Sequence, residues 1–150
     1  MENGDVSWKN RNVPIFWEIR VARTNETLAH RAQIARSLRE RMVGLLGRRV
    51  LPEGEGLILL ACRSIHTVCM RFAIDAVFVD RRWIVLRIAK ALPPWRMSPM
   101  VWGAAAVIEL PAGTVGRARL AIGDRVVLEP VGAEMGTSAR SVGNIAPGPI

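Results

Sequence analysis

The chain has 150 residues, of which half are hydrophobic, and a formal net charge of +8. A chain of this length favours a single domain that can fold without a metal or disulfide staple, and its two cysteines are too few for a disulfide framework. Five Trp, three Phe and no Tyr argue against a large aromatic stacking surface for single-stranded nucleic acid.

The first predicted element is a β-hairpin. Residues 1–13 are polar and are predicted to be flexible, so one globular domain is expected to span residues 14–130. IFWEIRVA is rich in β-branched and aromatic residues, which indicates a strand. The TNET turn follows, in which Asn25 can adopt a positive φ, and LAHRAQIA returns as the second strand.

One well-capped α-helix is predicted over about residues 38–46. Ser37 and Glu40 have the spacing of a capping box, in which each side chain bonds the other residue's backbone N–H. Gly47 stands where a left-handed C-terminal cap belongs. The apolar stripe of this helix consists of Leu38, Met42, Leu45 and Leu46.

Short strands separated by turns are predicted for the rest of the chain. GLILLA is apolar throughout, as in a strand covered on both faces, and the turn Asp80-Arg81-Arg82 leads into WIVLRIA as a hairpin partner. ALPPWRMSPM is predicted to be irregular because proline cannot donate a ladder hydrogen bond. GAAAVIEL is predicted to be a strand that ends at Pro111.

The end of the chain completes a mainly β pattern. PAGTVGRARLAI has room for one short helical turn, and a Gly123-Asp124 turn precedes the last predicted strand, RVVLEP. Residues 131–150 are small and turn-forming and are predicted to be disordered. Many short strands with one good helix predict a mainly β (α+β) fold, either a compact β sandwich or a partly open barrel.

The stretch SIHTVCMRFAIDAVFVD, residues 64–80, is apolar but carries His66, Arg71 and Asp75. Side chains alternate between the two faces of a strand, so one extended segment would turn Arg71 and Asp75 outward, about 13 Å apart. His66 would lie at the end of the opposite, apolar face. An acid–base pair with His66 would then need a carboxylate from another strand, such as Glu109 or Asp124. The side chains predicted to face the core include Val68, Met70, Phe72 and Phe78.

The spacing of Cys62, His66 and Cys69 is compatible with zinc only if the chain turns tightly there. It offers three ligands, and an extended chain would separate the two thiols by over about 20 Å. No metal and no cofactor are therefore predicted, and both thiols are expected to be buried and reduced.

The leading functional hypothesis is a small non-enzymatic binding or accessory domain. It would present its polar strand face and the Pro-rich Trp95 loop to a small ligand or a protein partner. One alternative is a small hydrolase or lyase that uses His66 with a carboxylate. Another is an electrostatic nucleic-acid binder, against which the scattered arginines argue. The candidate ligand-binding residues are His66, Thr67, Arg71, Asp75, Trp95 and Glu109.

The N-terminal residues contain no apolar run of signal-peptide length, and no segment approaches the 18 or so apolar residues of a membrane span. The expected location is therefore the cytoplasm, and no membrane span is expected.

Four ordered blocks resemble the domain of unknown function 192 family of bacteria and archaea: ARSLRERMVGLLGR, GEGLILLACRSIHTVCMRFAIDAVFVD, VIELPAG and IGDRV. The resemblance covers about residues 20–130. The family pattern has an Arg before Gly-Leu-Leu, here Arg41 before Gly44, and a Met before an aliphatic-Asp pair, here Met70 and Ile74-Asp75. Cys69 makes the chain similar to a His-Thr branch. The resemblance implies a compact, mainly β fold with one helix, and it implies no reaction.

Overall fold

The computed structural model describes residues 16–35, 45 and 47–132. These residues confirm the predicted mainly β fold, because they form seven strands and one short helix. In chain order the elements are β1 (Phe16–Val21), β2 (Thr27–Ala35), β3 (Glu55–Leu60), β4 (Ile74–Val79), β5 (Val85–Leu92), β6 (Ala106–Pro111), α1 (Thr114–Arg117) and β7 (Val126–Val131).

The seven strands form one mixed sheet in the order β5-β4-β6-β3-β2-β1-β7. Only the β2–β3 pair is parallel. The sheet curls until its two edges touch at one corner, where the Val85 N–H donates to the Asp124 carbonyl at 2.8 Å and the Val126 N–H donates to the Trp83 carbonyl at 3.0 Å. Of the two predicted architectures, the partly open barrel describes this sheet.

The interior of the curled sheet is the larger of two hydrophobic clusters. Every strand contributes to it, because alternate side chains of each strand point inward. Val115 of α1 packs into the same cluster. Its strand residues include Ile19, Val21, Leu28, Ala32, Ile58, Val77, Val79, Val85, Ile108, Leu110 and Val126.

The outer face of β3, β4 and β6 is also apolar and is covered by a second layer. Two irregular segments, residues 61–73 and 93–105, lie over this face, and we call them the loop layer. Their inner side chains Ile65, Met70, Val101 and Ala104 pack against the outer-face residues. Those outer-face residues are Leu57, Leu59, Ile74, Ala76, Phe78 and Val107.

Several local predictions are confirmed. β1 and β2 form a hairpin whose turn holds Asn25 at a φ of 58°, and Gly47 has a φ of 87°. The 80–82 turn joins an antiparallel pair, and α1 lies within PAGTVGRARLAI. Of the predicted helix, Leu45 is helical and buried, whereas residues 36–44 and 46 lie outside the described residues. The predicted tails, 1–13 and 131–150, also lie outside them apart from 131 and 132.

The prediction of a single strand over positions 68–78 is wrong. Cys69 has a φ of 66°, and the strand begins only at Ile74. Asp75 was expected to face outward but is 1% exposed, and Val68 was expected in the core but is exposed. Alternation of polar and apolar residues along a strand identifies a solvent-exposed face only when one face of the strand meets water. β4 is covered by the interior on one side and by the loop layer on the other.

Candidate functional site

Asp75 joins three separate parts of the fold through its carboxylate. Oδ1 accepts a hydrogen bond from the Ala91 N–H at 2.8 Å, and Oδ2 accepts one from the Val115 N–H at 2.9 Å. The first bond reaches the end of β5, where the loop layer begins, and the second reaches the first turn of α1. Both carboxylate oxygens are thus committed to backbone amides, which is a structural use of a buried charge.

The local geometry explains why a carboxylate is needed at position 75. The β4–β5 register shifts between Ile74 and Ala76, and Ala91 sits in this bulge at a φ of 47°. A bulge leaves a backbone group without its ladder partner, and Asp75 accepts the hydrogen bond from that group. The N-cap residue of α1 is Gly113, which has no side chain to cap the helix. Asp75 therefore supplies a hydrogen-bond acceptor at the positive end of the helix.

Thr67 connects the two halves of the loop layer. Its buried hydroxyl donates to the Pro93 carbonyl at 2.6 Å and accepts from the Arg96 N–H at 2.9 Å. Its backbone N–H donates to the Arg96 carbonyl at 2.8 Å, and its carbonyl accepts from the Trp95 N–H at 2.9 Å. The Trp95 loop is therefore held in one conformation, although Trp95 itself has a left-handed φ of 60°.

Further hydrogen bonds continue along the same seam. Ser98 exchanges two bonds with Ile65, one through its N–H at 2.8 Å and one through its side-chain Oγ at 3.0 Å. The Val101 N–H donates to the Arg63 carbonyl at 2.9 Å, and the Ala61 N–H donates to the Ala105 carbonyl at 2.8 Å. The loop layer is consequently an ordered cover although it contains no regular strand.

The outer surface of the loop layer exposes four large apolar side chains within eight consecutive residues. The exposed fractions are 62% for Trp95, 74% for Met97, 55% for Met100 and 77% for Trp102. Single exposed apolar residues are ordinary, but a group of this kind on an ordered surface is typical of an interaction site. No other eight-residue stretch of the described chain exposes as many large hydrophobic side chains.

The chain around this surface is strongly basic. Residues 57–108, which we call the basic part, contain seven basic residues and two acidic ones. Asp75 is buried, and Asp80 accepts from the backbone N–H groups of Arg82 and Ile84 in the hairpin turn. No ion pair among the described residues involves the seven cations. They are Arg63, Arg71, Arg81, Arg82, Arg87, Lys90 and Arg96.

The remaining described residues, 16–56 with their gaps and 109–132, contain eight basic and seven acidic residues. We call them the ion-paired part, because every ion pair among the described residues lies there. A hydrogen bond from Arg20 is the main cause that lowers the pKa of the Glu18 carboxyl. In the same way, Arg23 lowers the pKa of Asp124.

The other sequence candidates occupy different environments. His66 is half-buried in the loop layer, where its backbone forms an isolated antiparallel β-bridge with Met97. Arg71 is exposed. Glu109 is completely buried on the outer face of the sheet, opposite Ala76, so it lies on the other side of the sheet from Asp75. The structure thus brings together His66, Thr67 and Trp95 but separates Asp75 from Glu109.

The prediction that both thiols are buried is wrong, because Cys69 is exposed and Cys62 is half-buried. Within the described ranges, no group of three or more His, Cys, Asp and Glu side chains is arranged to hold a metal ion. Two polar recesses of about 300 and 210 Å³ open elsewhere on the molecule, and neither is lined by any of the six candidate residues.

The sequence prediction singled out Trp95 but missed Met97, Met100 and Trp102. A signal was present: residues 91–108 contain two Trp, two Met and three Pro but no acidic residue. Proline keeps such a segment out of a central strand, so its large side chains are candidates for exposure. Only the hydrogen bonds of Thr67 and Ser98 reveal which of them point away from the sheet.

The fold and the site define a small, mainly β domain whose curled sheet carries an ordered loop layer on one outer face. The family model of DUF192, described as "Uncharacterized ACR", matches residues 19–128. The chain belongs to this family. None of the described helices is long and apolar enough to cross a membrane.

Two solved structures share the fold. A protein of unknown function from Novosphingobium aromaticivorans DSM 12444 has 24% sequence identity and a TM-score of 0.64, over 75% of this chain and 84% of that one. A protein from Sinorhizobium meliloti 1021, provisionally named a transcription regulator, has 21% identity and a TM-score of 0.64, over 77% of this chain and 94% of that one. No curated protein matches the chain.

Proposed function

We propose that the chain is a non-enzymatic binding domain that contacts its partner through the outer surface of the loop layer. The observation that carries the proposal is the exposure of Trp95, Met97, Met100 and Trp102 on a surface that hydrogen bonds hold in place. A surface that is already ordered loses little conformational entropy when it binds. Trp, Met and Arg are also the residues that interfaces favour.

In this proposal five of the six sequence candidates contact the partner or support the structure beneath it. Trp95, Arg71 and His66 belong to the layer that meets the partner. Thr67 supports that layer from below, because its buried side chain bonds backbone groups of the layer. Asp75 is buried on the inner side of the sheet and holds the end of β5 and α1. The Glu109 side chain is buried on the outer face of the sheet. A cytoplasmic location, where Cys62 and Cys69 stay reduced, is part of the same proposal.

The hydrolase or lyase alternative receives less support from the geometry. Both oxygens of Asp75 accept backbone hydrogen bonds, so this carboxylate is not available as the base or acid partner of His66. The Glu109 carboxylate is fully buried, so a substrate could not reach it in this conformation.

The experiment is photo-crosslinking of the full chain in the cells that produce it. A benzophenone amino acid replaces Trp102 in one variant and Ile122 in the control, since Ile122 is 68% exposed but lies in the ion-paired part. We expect covalent adducts, identified by mass spectrometry, at position 102 and not at position 122. Adducts at both positions, or at neither, would contradict the proposal.

A further inference from the structure

We infer that the outer surface of the loop layer binds an anionic lipid bilayer, with Trp95 and Trp102 in the headgroup region and the neighbouring arginines against lipid phosphates. This inference rests on the proposed function and names the partner. It concerns attachment to the surface of a bilayer, which requires no spanning segment.

The degree of exposure indicates a convex surface. A side chain inside a groove is partly covered by the walls of that groove, yet Met97 and Trp102 are 74% and 77% exposed. Side chains that stand this clear of the protein can enter a soft partner that needs no matching shape. Trp is the residue that accumulates at the membrane interface, where its ring is both apolar and able to donate a hydrogen bond.

Charge complementarity selects an anionic bilayer over a neutral one. The loop layer contains Arg63, Arg71 and Arg96 and no acidic residue. The adjoining β4–β5 hairpin adds four more cations, and its half-buried Asp80 is bonded into the turn. Each cation close to an anionic bilayer strengthens binding by about fivefold. Scattered cations suit such a partner, because its charge is spread over a surface.

The chemistry of the layer favours lipid over nucleic acid. Residues 61–73 and 93–105 contain no Asn and no Gln, the amides that commonly read base edges. Two of the four exposed apolar side chains are Met97 and Met100, which offer no ring on which a base could stack. A lipid headgroup and its upper acyl chain require only apolar side chains and cations, and the layer offers both.

The test is co-sedimentation of the full chain with lipid vesicles. One vesicle type is phosphatidylcholine alone, and in the other about a quarter of the lipid is phosphatidylglycerol. We expect binding only to the anionic vesicles, with a loss of about tenfold per fivefold increase in salt because exposed charges are screened. Brominated lipid should quench part of the tryptophan fluorescence, and this quenching should disappear in a variant that carries both Trp95→Ser and Trp102→Ser.

Matched controls separate the loop layer from net charge and general hydrophobicity. We expect Trp102→Ser to weaken vesicle binding by about tenfold, whereas Ile122→Ser, which removes an equally exposed side chain elsewhere, leaves it unchanged. Arg71→Gln with Arg96→Gln should weaken binding by about twentyfold or more. The control pair with the same change of net charge is Arg49→Gln with Arg119→Gln, two exposed cations of the ion-paired part, and it should have a much smaller effect. Thermal unfolding without vesicles establishes that every variant is folded.

Three results would overturn the inference: equal binding to neutral and anionic vesicles, equal losses in the loop-layer and control pairs, or displacement from vesicles by a single-stranded oligonucleotide that itself binds through Trp95 and Trp102. The proposed function can fail separately. If protein adducts form only at position 102 and the chain does not bind vesicles, the loop layer is a binding surface but its partner is not a lipid bilayer. An absence of adducts at that position together with an absence of vesicle binding would reject both.

Discussion

The basic part and the ion-paired part share one sheet but treat their charges in opposite ways. In the ion-paired part, cations and carboxylates are nearly equal in number, and pairs such as Arg23–Asp124 and Arg117–Glu53 join distant segments. In the basic part, both carboxylates bond backbone groups, and the cations face solvent without ion pairs among the described residues.

The hydrophobic side chains show the same division. The basic part exposes two Trp and two Met on one ordered layer, while the ion-paired part exposes separate aliphatic residues such as Ile122 and Val131. The coincidence of exposed aromatic residues, unpaired cations and an ordered backbone in one region is what supports a binding surface there.

The largest expected effect is on Asp75, the internal carboxylate of the basic part. Asp75→Ala should lower the free energy of unfolding by about 3 kcal/mol, because the buried N–H of Val115 and the part-buried N–H of Ala91 lose their acceptor. Asp80→Ala is the matched control and should cost about 1 kcal/mol, because the two N–H groups that lose their acceptor lie nearer to solvent. Urea denaturation measures both. A loss below about 0.5 kcal/mol for Asp75→Ala would show that the carboxylate does not hold the fold together.

The next effect concerns the order of the loop layer. Thr67→Val keeps the shape of the side chain but removes the hydroxyl, so the Arg96 N–H loses an acceptor and the Pro93 carbonyl a donor. We expect a loss of about 2 kcal/mol in urea denaturation and faster amide exchange at residues 95–98. Thr67→Ser keeps the hydroxyl and should cost under about 1 kcal/mol. Unchanged amide exchange in Thr67→Val would mean that the layer is ordered by other contacts.

A smaller, pH-dependent effect is expected in the ion-paired part. The folded-state pKa of Asp124 lies below its ordinary value because of Arg23, so the pair stabilises the fold above the unfolded pKa and loses this contribution as the pH falls through the folded pKa. Asp124→Asn should cost about 1 kcal/mol near neutral pH, a value kept low because Arg23 is exposed. The difference from the unchanged chain should vanish in strong acid. Urea titrations at neutral and acidic pH test this, and a constant difference would contradict it.

The smallest effect is expected for the exposed cations of the basic part. Arg71→Gln should change the free energy of unfolding by less than about 0.5 kcal/mol, because this exposed side chain makes no ion pair with any of the described residues. The same substitution at Arg23 should destabilise the fold measurably more, because Arg23 bonds Asp124. Thermal and urea unfolding of both variants measure the contrast. Equal losses would mean that the two parts do not differ in their use of charge.

Local structure was predictable wherever neighbouring residues determine it. The turn at Asn25, the left-handed Gly47, the 80–82 turn and the short helix after Pro111 follow from turn and cap chemistry that extends over a few residues. The candidate site was predicted less completely. Trp95 was identified from its Pro-rich loop, but Trp102 and the two Met were not, because the sequence does not state which side chains of an irregular segment point outward.

Composition and short-range spacing were enough to predict the mainly β class, most of the turns and the uneven distribution of charge. The extent of β4 and the environment of Asp75 depend on the packing of distant segments, because the hydrogen-bond donors of Asp75 stand 16 and 40 residues away along the chain. The tertiary structure also decided that both faces of β4 are covered, because the loop layer comes from segments on either side of that strand. Alternation within a strand records which residues share a face, and the packing of distant segments decides which faces meet water.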